Sequence, residues 1–225
     1  MAVIKDFGVV LREYDAGENN KKLIVLTRDN GKLTVFARGA RRQGSKLAVS
    51  LFSYNEFVIY DGGQFYSLNS VLPVFMFADI SQDYDKFCYG CCFLEMADKM
   101  VLASMDTSAI LDVLLMALME LTRPRHAPTT IFAVYAIKLL QSEGFAPLID
   151  DSAGASTVQT GDSTITLCHQ ALQALTYILD SGARQMYDFK LSDDVASQLY
   201  RISRLMVAEN VDAKLKSLDM IGENL

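Results

Sequence analysis

Apolar positions along this chain change period near residue 79. Before that point they come in short runs. Phe7 to Arg12 is the first, closed by the turn-rich Asp15-Ala16-Gly17-Glu18-Asn19-Asn20. Lys22 to Arg28 holds Leu23, Ile24, Val25, Leu26 and Thr27, too short for a helix and rich in β-formers. Asp29-Asn30-Gly31 follows, a sequence that tolerates positive φ and joins hairpin strands. Lys32 to Arg38 then alternates, with Leu33, Val35 and Ala37 on one face and Thr34, Phe36 and Arg38 on the other. Leu51 to Tyr60 and Gln64 to Leu72 are two further strand candidates, parted by Asp61-Gly62-Gly63. Five short strands in residues 1–78 predict a small closed barrel, and the five-stranded OB-fold is the commonest nucleic-acid binder of that kind.

Beyond residue 79 apolar residues take helical spacing in Asp83 to Leu102, Thr107 to Leu121, Thr129 to Glu143 and Leu167 to Leu179. Gly144-Phe145-Ala146-Pro147 stops the third, and the fourth ends near Gly182. Ser192 is an N-cap candidate, followed by Asp193 and Asp194 where the helix dipole favours negative charge. The helix it opens carries Val195, Leu199, Ile202 and Leu205 on one face. Asp150 to Thr164 is small and polar and reads as a loop or a poorly ordered insert. The expected class is α+β and multidomain. A five-stranded OB-fold barrel spans 1–78, and an all-α helical bundle spans 79–225 with an insert at about 148–166.

Composition narrows the class. The chain has 225 residues, 51% of them hydrophobic and 21% charged, which suits a globular protein with a sizeable core and excludes global disorder. No apolar run reaches the roughly 18 residues that a membrane span needs. The opening Met1-Ala2-Val3-Ile4-Lys5-Asp6 has no leader-like basic and apolar regions, so the chain reads as cytoplasmic. Cys88, Cys91 and Cys92 crowd together while Cys168 lies far off, a pattern of free thiols in a reducing compartment.

Charge changes the picture most. The net charge is -6, yet residues 1–78 hold 10 Lys and Arg against 7 Asp and Glu, and residues 79–225 hold 11 against 20. The balances are thus +3 and -9. No acidic residue occurs between Asp29 and Glu56, where Lys32, Arg38, Arg41, Arg42 and Lys46 all fall. A positive field kept against an acidic average points to a polyanion. Phe36 shares a strand face with Arg38, so a ring able to stack on a base lies beside a guanidinium able to hold a phosphate. Gly39 and Gly44 bracket the arginines and allow close backbone approach. The competing reading is a solvated hairpin and loop.

Several motifs in order resemble one family. They are Gly8-Val9-Val10-Leu11 with Asp15-Ala16-Gly17-Glu18, then Ala37-Arg38-Gly39-Ala40-Arg41-Arg42 with Ser45-Lys46-Leu47, then Leu139 to Pro147, and finally Leu215-Lys216-Ser217-Leu218. Each is short, and the set, which covers essentially the whole chain, is similar to RecO, the bacterial recombination mediators. The resemblance implies an N-terminal OB-fold on a helical domain, binding of single- and double-stranded DNA, and annealing of complementary strands. It also implies action with RecR to load RecA onto DNA coated by single-stranded-DNA-binding protein (SSB), without enzymatic turnover, in the bacterial cytoplasm and at the nucleoid. Many members carry two Cys-x-x-Cys pairs after the Gly-Phe-Ala-Pro motif as a structural zinc site. This chain has no cysteine between Pro147 and Cys168, and His169 beside it cannot complete a four-ligand cage, so neither a metal nor another cofactor is expected. Asp151 to Thr164 would be the remnant of that module.

The resemblance implies DNA contact for Lys32, Phe36, Arg38, Arg41, Arg42 and Lys46. Arg41 and Arg42 are adjacent and are expected to diverge. Lys21 and Lys22 either extend the groove or offset Glu18, and Arg12 has the same two readings with Glu13 as its competing partner. Arg123 and Arg125 either dock the acidic, aromatic C-terminal tail of SSB or cap the preceding helix. Cys88-Tyr89-Gly90-Cys91 is formally a Cys-x-x-Cys, but its apolar helical setting favours core packing over metal ligation. His126 lacks a specific catalytic partner, and the helical methionines read as core. Two rival functions stand beside DNA binding. One is an RNA-binding or ribosome-associated OB-fold protein. The other is a metal-dependent hydrolase using Asp150 and Asp151, which no phosphate-cradling or His-rich motif supports.

Overall fold

The computed structural model describes residues 2–47, 49–101, 107–123, 125–150, 157–211 and 215–221. It divides into two compact units, Met1–Leu111 and Asp112–Leu225.

Five strands build the first unit: β1 (Ala2–Ala16), β2 (Asn20–Thr27), β3 (Lys32–Ala37), β4 (Ser53–Asp61) and β5 (Tyr66–Met76). They close in the order β1-β2-β3-β5-β4, with β1 antiparallel to both β2 and β4 and only β3 and β5 parallel. Alternation sets the faces. Val10, Leu23, Val25, Leu33, Val35, Phe57, Ile59 and Leu68 point inward and fill the barrel. The buried Asp6 carboxylate fixes the β2–β3 turn by accepting from the Asp29 and Asn30 backbone N–H groups and from the Asn30 amide. A 3-10 turn (Ala78–Gln82) leads to α1 (Tyr84–Met100), which is N-capped by Asp83 and belongs with the barrel in the first unit. Gly90 permits that packing, since a Cβ there would lie 2.8 Å from the Phe52 ring. Cys88 and Cys92 are buried on α1, and burial, the Cys88 thiol and Glu95 push the Cys91 thiol up to about 11. These thiols pack as small apolar groups.

The second unit contains most of α2 (Ser108–Leu121), then α3 (Pro128–Ser142), α4 (His169–Asp180), α5 (Asp193–Asn210) and α6 (Lys216–Met220). Every residue of α3 from Thr130 to Leu140 is buried, so it forms the core of the bundle. Lys138 lies in that run, and its ammonium donates to the carbonyls of Leu179 and Ser181 at the end of α4, where a cation is favoured. Ser192 caps α5, accepting from the Val195 backbone at 3.5 Å. None of the helices among the described residues is long and apolar enough to cross a membrane.

One expectation is corrected. Asp150 to Thr164 is not simply a loop. Its described part joins a three-stranded antiparallel sheet of β6 (Leu148–Asp150), β7 (Thr157–Thr160) and β8 (Ser163–Thr166). Gly161-Asp162 makes a two-residue hairpin turn, and Val158 and Ile165 give the hairpin a buried side. Thr160 then donates to Glu209 of α5 at 2.6 Å, tying the sheet to the bundle. Asp151, of the proposed hydrolase pair, lies outside the described residues.

Candidate nucleic-acid interface

The basic cluster sits at the end of β3 and in the loop after it. Ala40 turns into the barrel core and anchors that loop, leaving Arg38, Arg41 and Arg42 exposed around it. The β1–β2 hairpin supports it from below. The Asn20 side chain accepts from the Gly39 N–H at 2.9 Å, and the Asn19 carbonyl accepts from the Arg41 N–H at 3.1 Å. Gly39 and Gly44 take positive φ, 71° and 73°, a conformation that other residues adopt only with strain.

The eight charged candidates of the barrel divide by what holds their charge. Arg38, Arg42 and Lys46 are exposed, and no ion pair engages them among the described residues. Arg41 turns from Arg42 to meet Asp15 at 3.1 Å and the Gly17 carbonyl at 3.3 Å. Arg12 and Lys32 converge on Asp98 of α1. The Arg12 guanidinium is 3.2 Å from its carboxylate, while Lys32 donates to its carbonyl and lies 3.7 Å from its carboxylate. Glu13 is therefore not the partner of Arg12, because neighbours on a strand face opposite ways. Glu13 instead meets Lys21 at 2.7 Å. Lys21 pairs across to the buried Ala37, so it has the inward parity of the barrel and does not share the face of Lys22.

Lys22 lies on the outer face. The registers Tyr14 with Lys22 and Lys22 with Phe36 put these three in one row across β1, β2 and β3. Lys22 and Arg12 lie 5.8 and 5.1 Å from the Tyr14 ring centroid. Phe36 is half-buried and meets Phe65 of the β4–β5 loop edge-on, with ring centroids 6.2 Å apart. Sequence reading passed over Tyr14 and Phe65. Two signals could have found them: Tyr14 lies two residues from Arg12 on a strand, and Phe65 is a bare aromatic beside Asp61-Gly62-Gly63.

Arg123 and Arg125 occupy a different setting. The carboxylate of Glu120 on α2 is fully buried. Arg125 grips it twice, at 2.9 and 2.6 Å, His126 Nδ1 lies 2.9 Å away, and Arg123 lies 3.8 Å away. Burial pushes the Glu120 carboxyl up, but the hydrogen bonds and charges of Arg125 and His126 more than offset it, so the net direction is down. Nε2 of His126 faces the Phe189 carbonyl at 3.1 Å. Beside this clasp opens a cleft of about 730 Å³ that includes Arg125, Tyr187, Phe189 and Lys190. The sequence did not reveal Glu120 as the centre of this group.

Comparison with known proteins adds the family. Residues 1–77 match the model described as Recombination protein O N terminal, and residues 81–219 match Recombination protein O C terminal. The DNA repair protein RecO of Acetivibrio thermocellus is 26% identical, with 98% of this chain and 97% of the relative aligned. Those of Symbiobacterium thermophilum and Clostridium acetobutylicum are 23% and 24% identical, covering 98% and 99% of this chain and 97% and 98% of the relatives.

Proposed function

Because this chain belongs to the recombination protein O (RecO) family, with a role in DNA repair and recombination, we propose that it is a non-enzymatic DNA-binding and annealing factor. Its barrel binds single- and double-stranded DNA and brings complementary strands together. The observation that carries this reading is the trio Arg38, Arg42 and Lys46, exposed and without an ion pair among the described residues. Free cations gain most from a phosphate backbone, since each replaces condensed counterions whose release drives binding. Screening the phosphates of two strands at one surface lowers their repulsion, which is what annealing requires. Arg41, Arg12 and Lys32 add to the field once their carboxylate partners yield to phosphate.

The remaining steps follow the same reading. The protein acts with RecR to help load RecA onto SSB-coated DNA. The acidic tail of SSB docks at the exposed rims of Arg123 and Arg125, beside the cleft that holds Phe189 and Lys190.

The direct test is annealing of complementary DNA by the wild type and by a variant carrying Arg38→Glu, Arg41→Glu, Arg42→Glu and Lys46→Glu, with RNA of the same sequence as a second substrate. The variant should fold and lose annealing, and the wild type should prefer DNA. A folded variant that anneals normally, or a wild type that prefers RNA, would refute the assignment.

A further inference from the structure

The outer face of β1, β2 and β3 carries more than charge. Tyr14 is 41% exposed and Phe65 is 67% exposed. Burying aromatic rings is favourable, so two such rings left in water on one face call for an explanation. Both are positioned. Tyr14 is held by register against Lys22, with the Arg12 guanidinium over its ring. Phe65 leans edge-on against Phe36, which shares a row with Lys22 and Tyr14. The result is a row of Tyr14, Lys22, Phe36 and Phe65, running from the β1–β2 hairpin to the β4–β5 loop.

Flat rings interleaved with cations suit one kind of ligand, a polyanion that carries exposed flat rings of its own. A duplex keeps its bases stacked inside and offers this row only phosphates. An unpaired strand offers both. On barrels of this topology the face of strands 2 and 3 and the flanking loops are where oligonucleotides lie. The charge arrangement agrees: Arg38 follows Phe36 by two residues at the end of β3, and the exposed Arg42 and Lys46 lie farther along the loop that β3 leads into. Backbone phosphates can be held there while bases turn onto the rings.

We propose that Tyr14 and Phe65 are base-stacking residues, and that with Phe36 they form a platform giving the barrel its preference for unpaired strands over duplex. The inference rests on the DNA-binding reading of the same face and adds which strand state that face selects and which side chains select it. Phosphate contacts supply affinity shared by all nucleic acids, and stacking supplies the part that duplex cannot match.

The test uses the full chain and three probes of equal length: an oligothymidylate, the same backbone with abasic sites, and a duplex. The wild type should bind oligothymidylate most tightly. Phe65→Ala and Tyr14→Ala should each weaken oligothymidylate binding by about 5- to 100-fold and leave duplex and abasic binding within about 2-fold. Phe65→Tyr and Tyr14→Phe should restore it, and both positions are exposed enough for circular dichroism to confirm an unchanged fold. Wild-type binding of the abasic strand as tight as that of oligothymidylate would overturn the platform, as would equal losses on single strand and duplex. A wild type that binds none of the three probes would overturn the DNA reading of the face, and the platform with it.

Discussion

The loop after β3 and the loop between α2 and α3 both carry arginines at close spacing, in Arg38-Gly39-Ala40-Arg41-Arg42 and in Arg123 and Arg125. Their charges have different fates. In the first, Ala40 takes the buried position, Arg38 and Arg42 stay in water, and among the described residues only Arg41 meets a carboxylate. In the second, Arg125 lies across a fully buried carboxylate, with His126 and Arg123 drawn to the same group. A cation count cannot separate these cases. What matters for a phosphate is charge not yet satisfied within the protein. By that measure the β3 loop offers the more available positive charge, and the α2–α3 loop is mainly a structural clasp with a charged rim.

Removing the clasp should have the largest effect. Glu120→Gln leaves Arg125 and His126 facing a neutral amide in a buried setting, and should destabilise the second unit by about 3 kcal/mol, read by denaturant unfolding. Unchanged stability would erase the distinction between the loops. The same carboxylate sets a pH dependence. Its folded pKa lies below the ordinary value, so its contribution is full above about pH 4.3 and is lost as pH falls through the depressed folded value. Glu120→Gln should remove that acid-limb component. An acid limb that keeps its shape in the variant would assign the dependence to other carboxylates.

A smaller effect is expected at Asp98, which holds Arg12 and Lys32 back from solvent. Asp98→Asn should remove the carboxylate that neutralises both, while Lys32 keeps its bond to the Asp98 carbonyl, and should raise DNA affinity about 5-fold at low salt, measured by fluorescence anisotropy. A fall in affinity would mean that Asp98 instead positions these two cations for DNA. Smallest is Arg123→Ala. Its contact with Glu120 is long, 3.8 Å, and its side chain is 44% exposed, so stability should change by less than about 0.5 kcal/mol. A loss as large as that from Glu120→Gln would make Arg123 part of the clasp.

Much of the fold was legible because period is a strong signal. Leu33, Val35 and Ala37 alternate cleanly, and the run from Ile131 to Leu140 is apolar at every position but Lys138, so β3 and α3 follow from pattern. The small sheet did not, because strands of 3 or 4 residues are too short to show a period and their Ser, Thr and Gly content mimics a loop. The five-residue α6 escaped for the same reason. In the candidate site, sequence located the cations but not their partners. Asp98 lies 86 residues from Arg12, and only folding brings them together. Glu120 sits in Leu118-Met119-Glu120-Leu121, where a lone carboxylate among apolar residues looks like an exposed helix position until Arg125 and His126 close over it.

The central claim is that Arg38, Arg42 and Lys46 carry the available charge of the barrel. The most direct measurement is the salt dependence of single-stranded DNA binding, from about 50 to about 300 mM, for the wild type and for Arg38→Glu/Arg42→Glu/Lys46→Glu. The wild type should lose affinity steeply and linearly on logarithmic axes, and the variant's slope should be shallower by about 2, the share of three phosphate contacts on a single strand. Parallel lines, or a wild type indifferent to salt, would contradict it.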